Sequence, residues 1–395
     1  MENSQSRKKL SLDKVTYLYL FFAMVFLVAS HVYGVLSAEE LIAETLSGPV
    51  VSWVHFLTLG FLLPVVFALA VQKLRTLYGQ EPEFGWGWKI HFISYYAALP
   101  FYLYFIYSKT ETFWLFISGI TLFVSSVMFV ILYWRKLGQI PKEGRDKFHF
   151  RMDIIIGFFI LQTTMFGALL VSNLHFGWFF SENIHSIRIH SHSGILAVFI
   201  PMILLYLDVY DSGKTIYNKM LRLSAGGFVF FVFLWTAVHD KNPVVFQAVF
   251  YGTIVCALLS VLYVFGRALR LDKHNKLLLA PFLFLLVSVL LAAELIIAGD
   301  RPYTIEKNMA LQYGFATLYG VFVASFSFLI RKVFIEKELG GKWSTIDASI
   351  GFLATLVVVL SFYFSNANFL SGGIFVLLLL SINQTIRFIK HQKSL

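Results

Sequence analysis

Residues 187–199 read IRIHSHSGILAVF. Two histidines one residue apart, His190 and His192, follow Arg188 and head a run of about twenty apolar residues, the length that crosses roughly 30 Å of hydrocarbon as a helix. Ionisable side chains are costly inside a bilayer and are therefore candidate functional groups by default. At 100° per residue, positions i and i+2 point about 200° apart, so His190 and His192 face opposite sides of their helix and cannot chelate one ion together. Each can serve a different neighbour.

The rest of the chain has the same solvent. Hydrophobic residues make up 58% of the 395 positions and charged residues 14%, and the mean hydropathy is +0.74. That leaves too little polar surface to cover a soluble globule. The single cysteine, Cys256, lies in an apolar run and offers neither a disulfide nor a thiolate metal site. Apolar runs of membrane-crossing length begin near Val15, Val50, Lys89, Thr112, Asp153, Ile187, Leu221, Val244, Leu277, Met309, Thr345 and Asn368. The expected fold is all-α: one integral-membrane domain over residues 1–395, a polytopic bundle of twelve transmembrane helices in three pseudo-repeated four-helix groups, about 15–135, 153–266 and 277–388. The basic segment SRKKLSLDK precedes a long first run without a clear small-residue cleavage site, which reads as a retained span.

With twelve spans, 27 of the 32 lysines and arginines fall on the loops of one side. The other side keeps Lys109, Arg188, Lys241, Arg301 and Lys307. The positive-inside rule then places both termini in the cytoplasm. The net charge of +10 is accounted for by this asymmetry; no basic cluster interleaves with a soluble fold, and no nucleic-acid partner is expected. Histidines sort the other way: His31, His55, His175, His185, His190, His192 and His239 lie on the outer side, and only His91, His149, His274 and His391 on the inner one. This segregation points to a site near the outer face.

The second helix of each four-helix group opens alike: WVHFLTLGF from Trp53, IHSHSGILAVF from Ile189 and ALQYGFATLYG from Ala310. Aligning Gly60, Gly194 and Gly314 gives spacings of 134 and 120 residues and leaves His55 one residue out of register with His190. A helix that ligates one haem from each side is a natural use for a His-x-His pair, with His55 on a parallel helix supplying a trans ligand, because imidazole suits iron and copper.

These features resemble the haem–copper oxidase subunit I superfamily and are similar to its NnrS-like branch of haem and copper membrane proteins. The segment SWVHFLTLGFLLPVVFALAVQKL resembles that family's second helix, whose histidine binds a low-spin haem. The resemblance implies haem-iron ligation by His55, His190 and His192, one or two haems of b type, propionate pairing by Arg188 and Arg301, and copper left open through His185, His175, His31 or His239. It also implies a bacterial inner (plasma) membrane, a lipid bilayer and a small gas such as oxygen or nitric oxide as partners, an unspecified electron donor, and a role in respiratory electron transfer or gas handling. In the oxidases the His-x-His pair lies on helix ten. Here it lies on helix six, with Gln312 and Tyr313 at the start of helix ten, and no His-His dipeptide occurs. A complete oxidase copper site is therefore not expected.

Other readings apply to the same residues. A histidine at a helix end serves as an interfacial polar group, Arg188 and Arg301 can snorkel, Gln312 and Tyr313 can join helices by hydrogen bonds, and Glu294 can be a satisfied interhelical carboxylate. No single span carries a chain of titratable groups across the bilayer, which weighs against ion pumping. The alternative functions are a transporter, whose helices Pro64, Pro100 and Pro201 would break, and a scaffold that binds no cofactor.

Overall fold

The computed structural model describes residues 14–43, 47–80, 83, 85–108, 111–177, 190–210, 216–238, 243–270, 279–297, 311–334 and 342–393. Among these, the structure is helical without strands. In lipid every backbone N–H and C=O must be satisfied within its own segment, and helices are how apolar runs of this length achieve it. The order is α1 (Lys14–Leu36), α2 (Ala38–Ala43), α3 (Gly48–His55), π1 (Phe56–Leu62), α4 (Leu63–Tyr78), α5 (Trp86–Ser108), α6 (Thr112–Gly138) and α7 (Lys147–Phe176). There follow π2 (Ser193–Phe199), α8 (Ile200–Tyr210), α9 (Ile216–Val238), α10 (Pro243–Arg270) and α11 (Leu279–Ile297). The chain ends with π3 (Ala316–Val323), α12 (Ala324–Phe334), α13 (Lys342–Tyr363) and α14 (Ala367–Lys393). Ten helices among the described residues are long and apolar enough to cross a membrane. The chain is an integral membrane protein.

Three spans form the centre. In the most apolar 18-residue stretch of each of Gly48–Tyr78, His190–Val209 and Leu311–Ile330 at least 72% of the residues are buried, against at most 44% in the other seven. The three meet pairwise. Tyr206 on α8 donates its hydroxyl to the Leu69 carbonyl on α4, Phe199 on π2 packs against Phe322 on π3 at 5.4 Å, and Trp53 on α3 packs against Phe315 at 4.5 Å.

Each central span contains one π-helix. The closing bonds run five residues back, from Leu63 N–H to the Thr58 carbonyl, from Ile200 N–H to Ile195 and from Ala324 N–H to Tyr319. In the first two spans a proline, Pro64 or Pro201, comes one residue later. Proline has no N–H, and its ring presses on the carbonyl four residues before it; a widened turn accommodates both defects without breaking the helix. The π-helices begin at Phe56, Ser193 and Ala316, a spacing of 137 and 123 residues. Both spacings are three residues longer than those between Gly60, Gly194 and Gly314. Aligning the π-helices pairs His55 with His192 and Phe315, and Pro64 with Pro201.

One end of the bundle is fastened by buried charge. Lys73, in the last turns of α4, meets Asp153 of α7 at 2.7 Å with both side chains fully buried. Asp208 of α8 accepts from His149 Nε2 at 2.8 Å, from Asn218 Nδ2 at 2.8 Å and from Arg222 Nε at 2.8 Å. Arg222 also reaches Asp146, which caps α7 by accepting from the backbone N–H groups of Phe148 and His149. Burial works against ionisation of Asp146, but the His149 N–H and the His149 and Arg222 charges outweigh it and hold its carboxyl below the usual value of 3.8. Its contribution to stability is present above that value and is lost as pH falls through the lowered one. Gly79 ends α4 at a φ of 65°, in the left-handed region where glycine carries no steric penalty.

Removing one partner of the Lys73–Asp153 pair strands a charge in a dry interior. Asp153→Asn is expected to destabilise the solubilised protein by about 3–5 kcal/mol. The double change Lys73→Met with Asp153→Leu should recover most of that loss, as read from thermal unfolding in detergent.

Candidate functional site

At the opposite end of the central spans the imidazoles take up defined positions. His55 is the last residue of α3, immediately before π1. Its Nδ1 lies 2.7 Å from the Val51 carbonyl one turn back. His190 stands ahead of π2, with Nδ1 2.7 Å from the Thr163 carbonyl of α7. A carbonyl only accepts, so in both rings Nδ1 carries the proton and donates it. Each Nε2 is thereby left as a lone pair, and among the described residues neither has a hydrogen-bond partner.

These two rings are neighbours. Their centroids lie 6.2 Å apart with planes within 16° of parallel. The helices around them pack on different neighbours: α3 leans on α5, π1 on α1, and π2 on α7. Tyr102 of α5 flanks His55 at 5.4 Å with its ring tilted by 60°. Ser52 ties α3 to α5 by donating to the Leu103 carbonyl, and Tyr95 ties α5 to π1 by donating to Leu59. On the α7 side Gln162 donates to Ser193 at 3.3 Å, and the buried Thr163 hydroxyl has no partner.

Gly167 is why the His190 ring can lie against α7. A Cβ at that position would stand 2.9 Å from His190 Cε1, closer than side chains tolerate. Thr163 and Gly167 are one turn apart on the same face of α7, so one presents the carbonyl and the other clears the space. The sequence reading passed over Gly167 and Tyr102. The available signal was a small residue four positions after the threonine.

His192 goes elsewhere. Its ring stands edge-on to Trp235 of α9 at 4.9 Å and 87°, with Nδ1 3.3 Å from Ser191 Oγ. The structure thus separates the His-x-His pair to two sides of its helix. Of the remaining candidates, His175 pairs with Thr112 at 3.1 Å and stacks on Phe116, while His31 pairs with Ser381 at 3.1 Å. Neither joins His55 and His190. Arg188, Arg301, His185 and His239 lie outside the described residues, as does the side chain of Glu294. Among the described residues no three histidine, cysteine or carboxylate side chains gather as a metal site. Gln312 is buried, and the Tyr313 carbonyl accepts from Thr317 within its own helix. No protein-family model matches the chain, and no curated protein matches it.

Gly167→Ala is expected to push the His190 ring off the Thr163 carbonyl. In nitrogen NMR of histidine-labelled protein, the hydrogen-bonded Nδ1–H signal of His190 should shift in this variant while that of His55 stays in place.

Proposed function

We propose that the chain is an integral-membrane haem protein in which His55 and His190 would together hold one haem iron, serving respiratory electron transfer or the handling of a small diatomic gas. The observation that carries this reading is the imidazole pair. Two imidazoles on one metal ion have ring centres about 6 Å apart, from metal–nitrogen bonds of about 2 Å and the ring radius on each side. The separation here is 6.2 Å. Both rings hold their proton on Nδ1 by a backbone carbonyl, the outer hydrogen bond that fixes tautomer and orientation in metal-binding histidines.

In this reading the chain spans the membrane twelve times in three groups of four, α5 and α11 supplying spans beyond the ten. Both termini are cytoplasmic, and the imidazole pair lies toward the outer face of a bacterial inner membrane. Haem supplies one-electron exchange and, where an axial position is open, gas binding. The protein's part is to hold two imidazoles parallel, to present two neutral nitrogen lone pairs, and to wall them from water with Tyr102 and the apolar faces of α5 and α7. His192, facing Trp235, is not a partner of this pair and would serve a second haem if one is bound. Arg188 and Arg301 would meet the propionates. Copper finds no support in the placement of His31 and His175.

The test is an optical spectrum of protein purified from haem-replete cells, oxidised and dithionite-reduced, with a pyridine haemochrome assay. A six-coordinate low-spin signature is expected, lost in His55→Ala and in His190→Ala and kept in His192→Ala. A colourless protein, or a signature indifferent to His55 and His190, would overturn the reading in favour of a transporter or a cofactor-free scaffold.

A further inference from the structure

At the end of the bundle far from the imidazole pair, where α6 finishes and α7 starts, the surface that faces lipid changes character. On α6 the exposed apolar side chains include Trp114, Ile117, Val124 and Ile131. Spacings of three, seven and seven residues keep them on one face of the helix, and the next exposed position on that face is Arg135. On α7 the exposed residues Leu169, Met165, Phe158 and Ile154 form a stripe of the same kind. It continues, three and seven residues on, through Arg151 and Lys147, both exposed.

The two stripes are neighbours, because α6 and α7 pack along one another. Trp134 lies against Gly157, where a Cβ would stand 2.6 Å from the indole nitrogen. That contact sets the level: Arg135 adjoins Trp134, and Arg151 is six residues, a rise of about 9 Å, from Gly157 toward the start of α7. Long basic side chains span such an offset by laying their stems on apolar surface while the charge stays at the polar end. Trp86, 77% exposed at the start of α5, stands at the same level. The adjacent Gly87 packs on Leu132, three residues before Arg135, and tryptophan collects where hydrocarbon meets the headgroups.

Arg135, Lys147 and Arg151 have no ion pair among the described residues. Of the nearby carboxylates, Asp146 is bonded to Arg222 and to the α7 backbone, Asp153 is buried on Lys73, and Glu143 stands exposed on the turn beside Lys142. Arg145 is turned onto the Gly138 and Ile140 carbonyls. The ends of α9 and α14 differ. There Arg222 is engaged by Asp208 and Asp146, and Arg387 by Asp347, which leaves Lys219 and Lys390.

We propose that the seam between α6 and α7 binds an anionic phospholipid of the surrounding bilayer, its acyl chains along Ile131, Val124, Ile154 and Phe158 and its phosphate held by Arg135, Arg151 and Lys147. The stripes and the cations form one continuous surface, so the ligand that covers both has hydrocarbon at one end and negative charge at the other. A zwitterionic lipid matches the stripes but brings a further cation to the three already there. A soluble anion or an acidic protein segment matches the cations and leaves the stripes uncovered. Guanidinium groups grip phosphate through two parallel donors, and basic clusters at a membrane surface favour anionic lipid. Nothing in this site depends on what lies between His55 and His190.

The test is native mass spectrometry of the full chain released from micelles. The competing probes are dioleoyl phosphatidylglycerol and dioleoyl phosphatidylcholine, with glycerol phosphate and a short glutamate peptide as anions without hydrocarbon. Phosphatidylglycerol should be retained several-fold more than phosphatidylcholine, and neither soluble anion should displace it at equal concentration. Arg135→Gln with Lys147→Gln and Arg151→Gln should bring the two lipids to parity, whereas the charge-keeping set Arg135→Lys, Lys147→Arg and Arg151→Lys should retain the preference. A control that removes the same charge elsewhere, Lys14→Gln with Lys219→Gln and Lys390→Gln, should retain it too. All six positions are exposed, so neither set disturbs the packing. Equal retention of the two lipids by the native chain, displacement by either soluble anion, or the same loss in both glutamine sets would overturn the proposal.

Discussion

A proline in a membrane helix removes one donor and displaces the carbonyl four residues before it, and lipid offers nothing to repair either defect. In two of the three central spans the repair is internal, through the π-helices that precede Pro64 and Pro201. A π-turn holds one residue more than the α-turn it replaces, so it rotates everything before it by about 100° relative to everything after it. His55 and the His190/His192 pair stand on the far side of that rotation. The faces they present are therefore set separately from the packing faces of α4 and α8, which remain buried in the bundle centre. The third central span has the same widened turn with no proline near it.

The two ends of the central spans carry different polar chemistry. At one end, Lys73–Asp153 and the cluster of Asp208, His149, Asn218 and Arg222 pair opposite charges, with only Asp153 Oδ2 and His149 Nδ1 among their buried atoms left without a partner. Networks of paired buried charge hold helices in register. At the other end, the protons on His55 and His190 are given to backbone carbonyls and the facing nitrogens are left without partners. Unsatisfied nitrogen held on a satisfied frame is the arrangement of a binding site.

The sequence by itself determined the solvent and the element type. Runs of apolar residues near twenty long read as helices in lipid, and ten helices of membrane-crossing length stand among the described residues; the starts near Ile187, Leu277 and Met309 lie outside them. It also determined that His190 and His192 face opposite ways, because helical periodicity is local: one now faces His55 and α7, the other Trp235. The tertiary structure alone decided the rest. The positions of the three π-turns were not legible, because their extra residue leaves no reliable mark in composition. The choice of His190 over His192 as the neighbour of His55 depends on which helix, α7 or α9, packs on which side. Gly167 mattered only once a ring from another span lay over it. Lys73, Asp153 and His31 found their partners across separations of 80 and 350 residues, distances at which sequence carries no contact information.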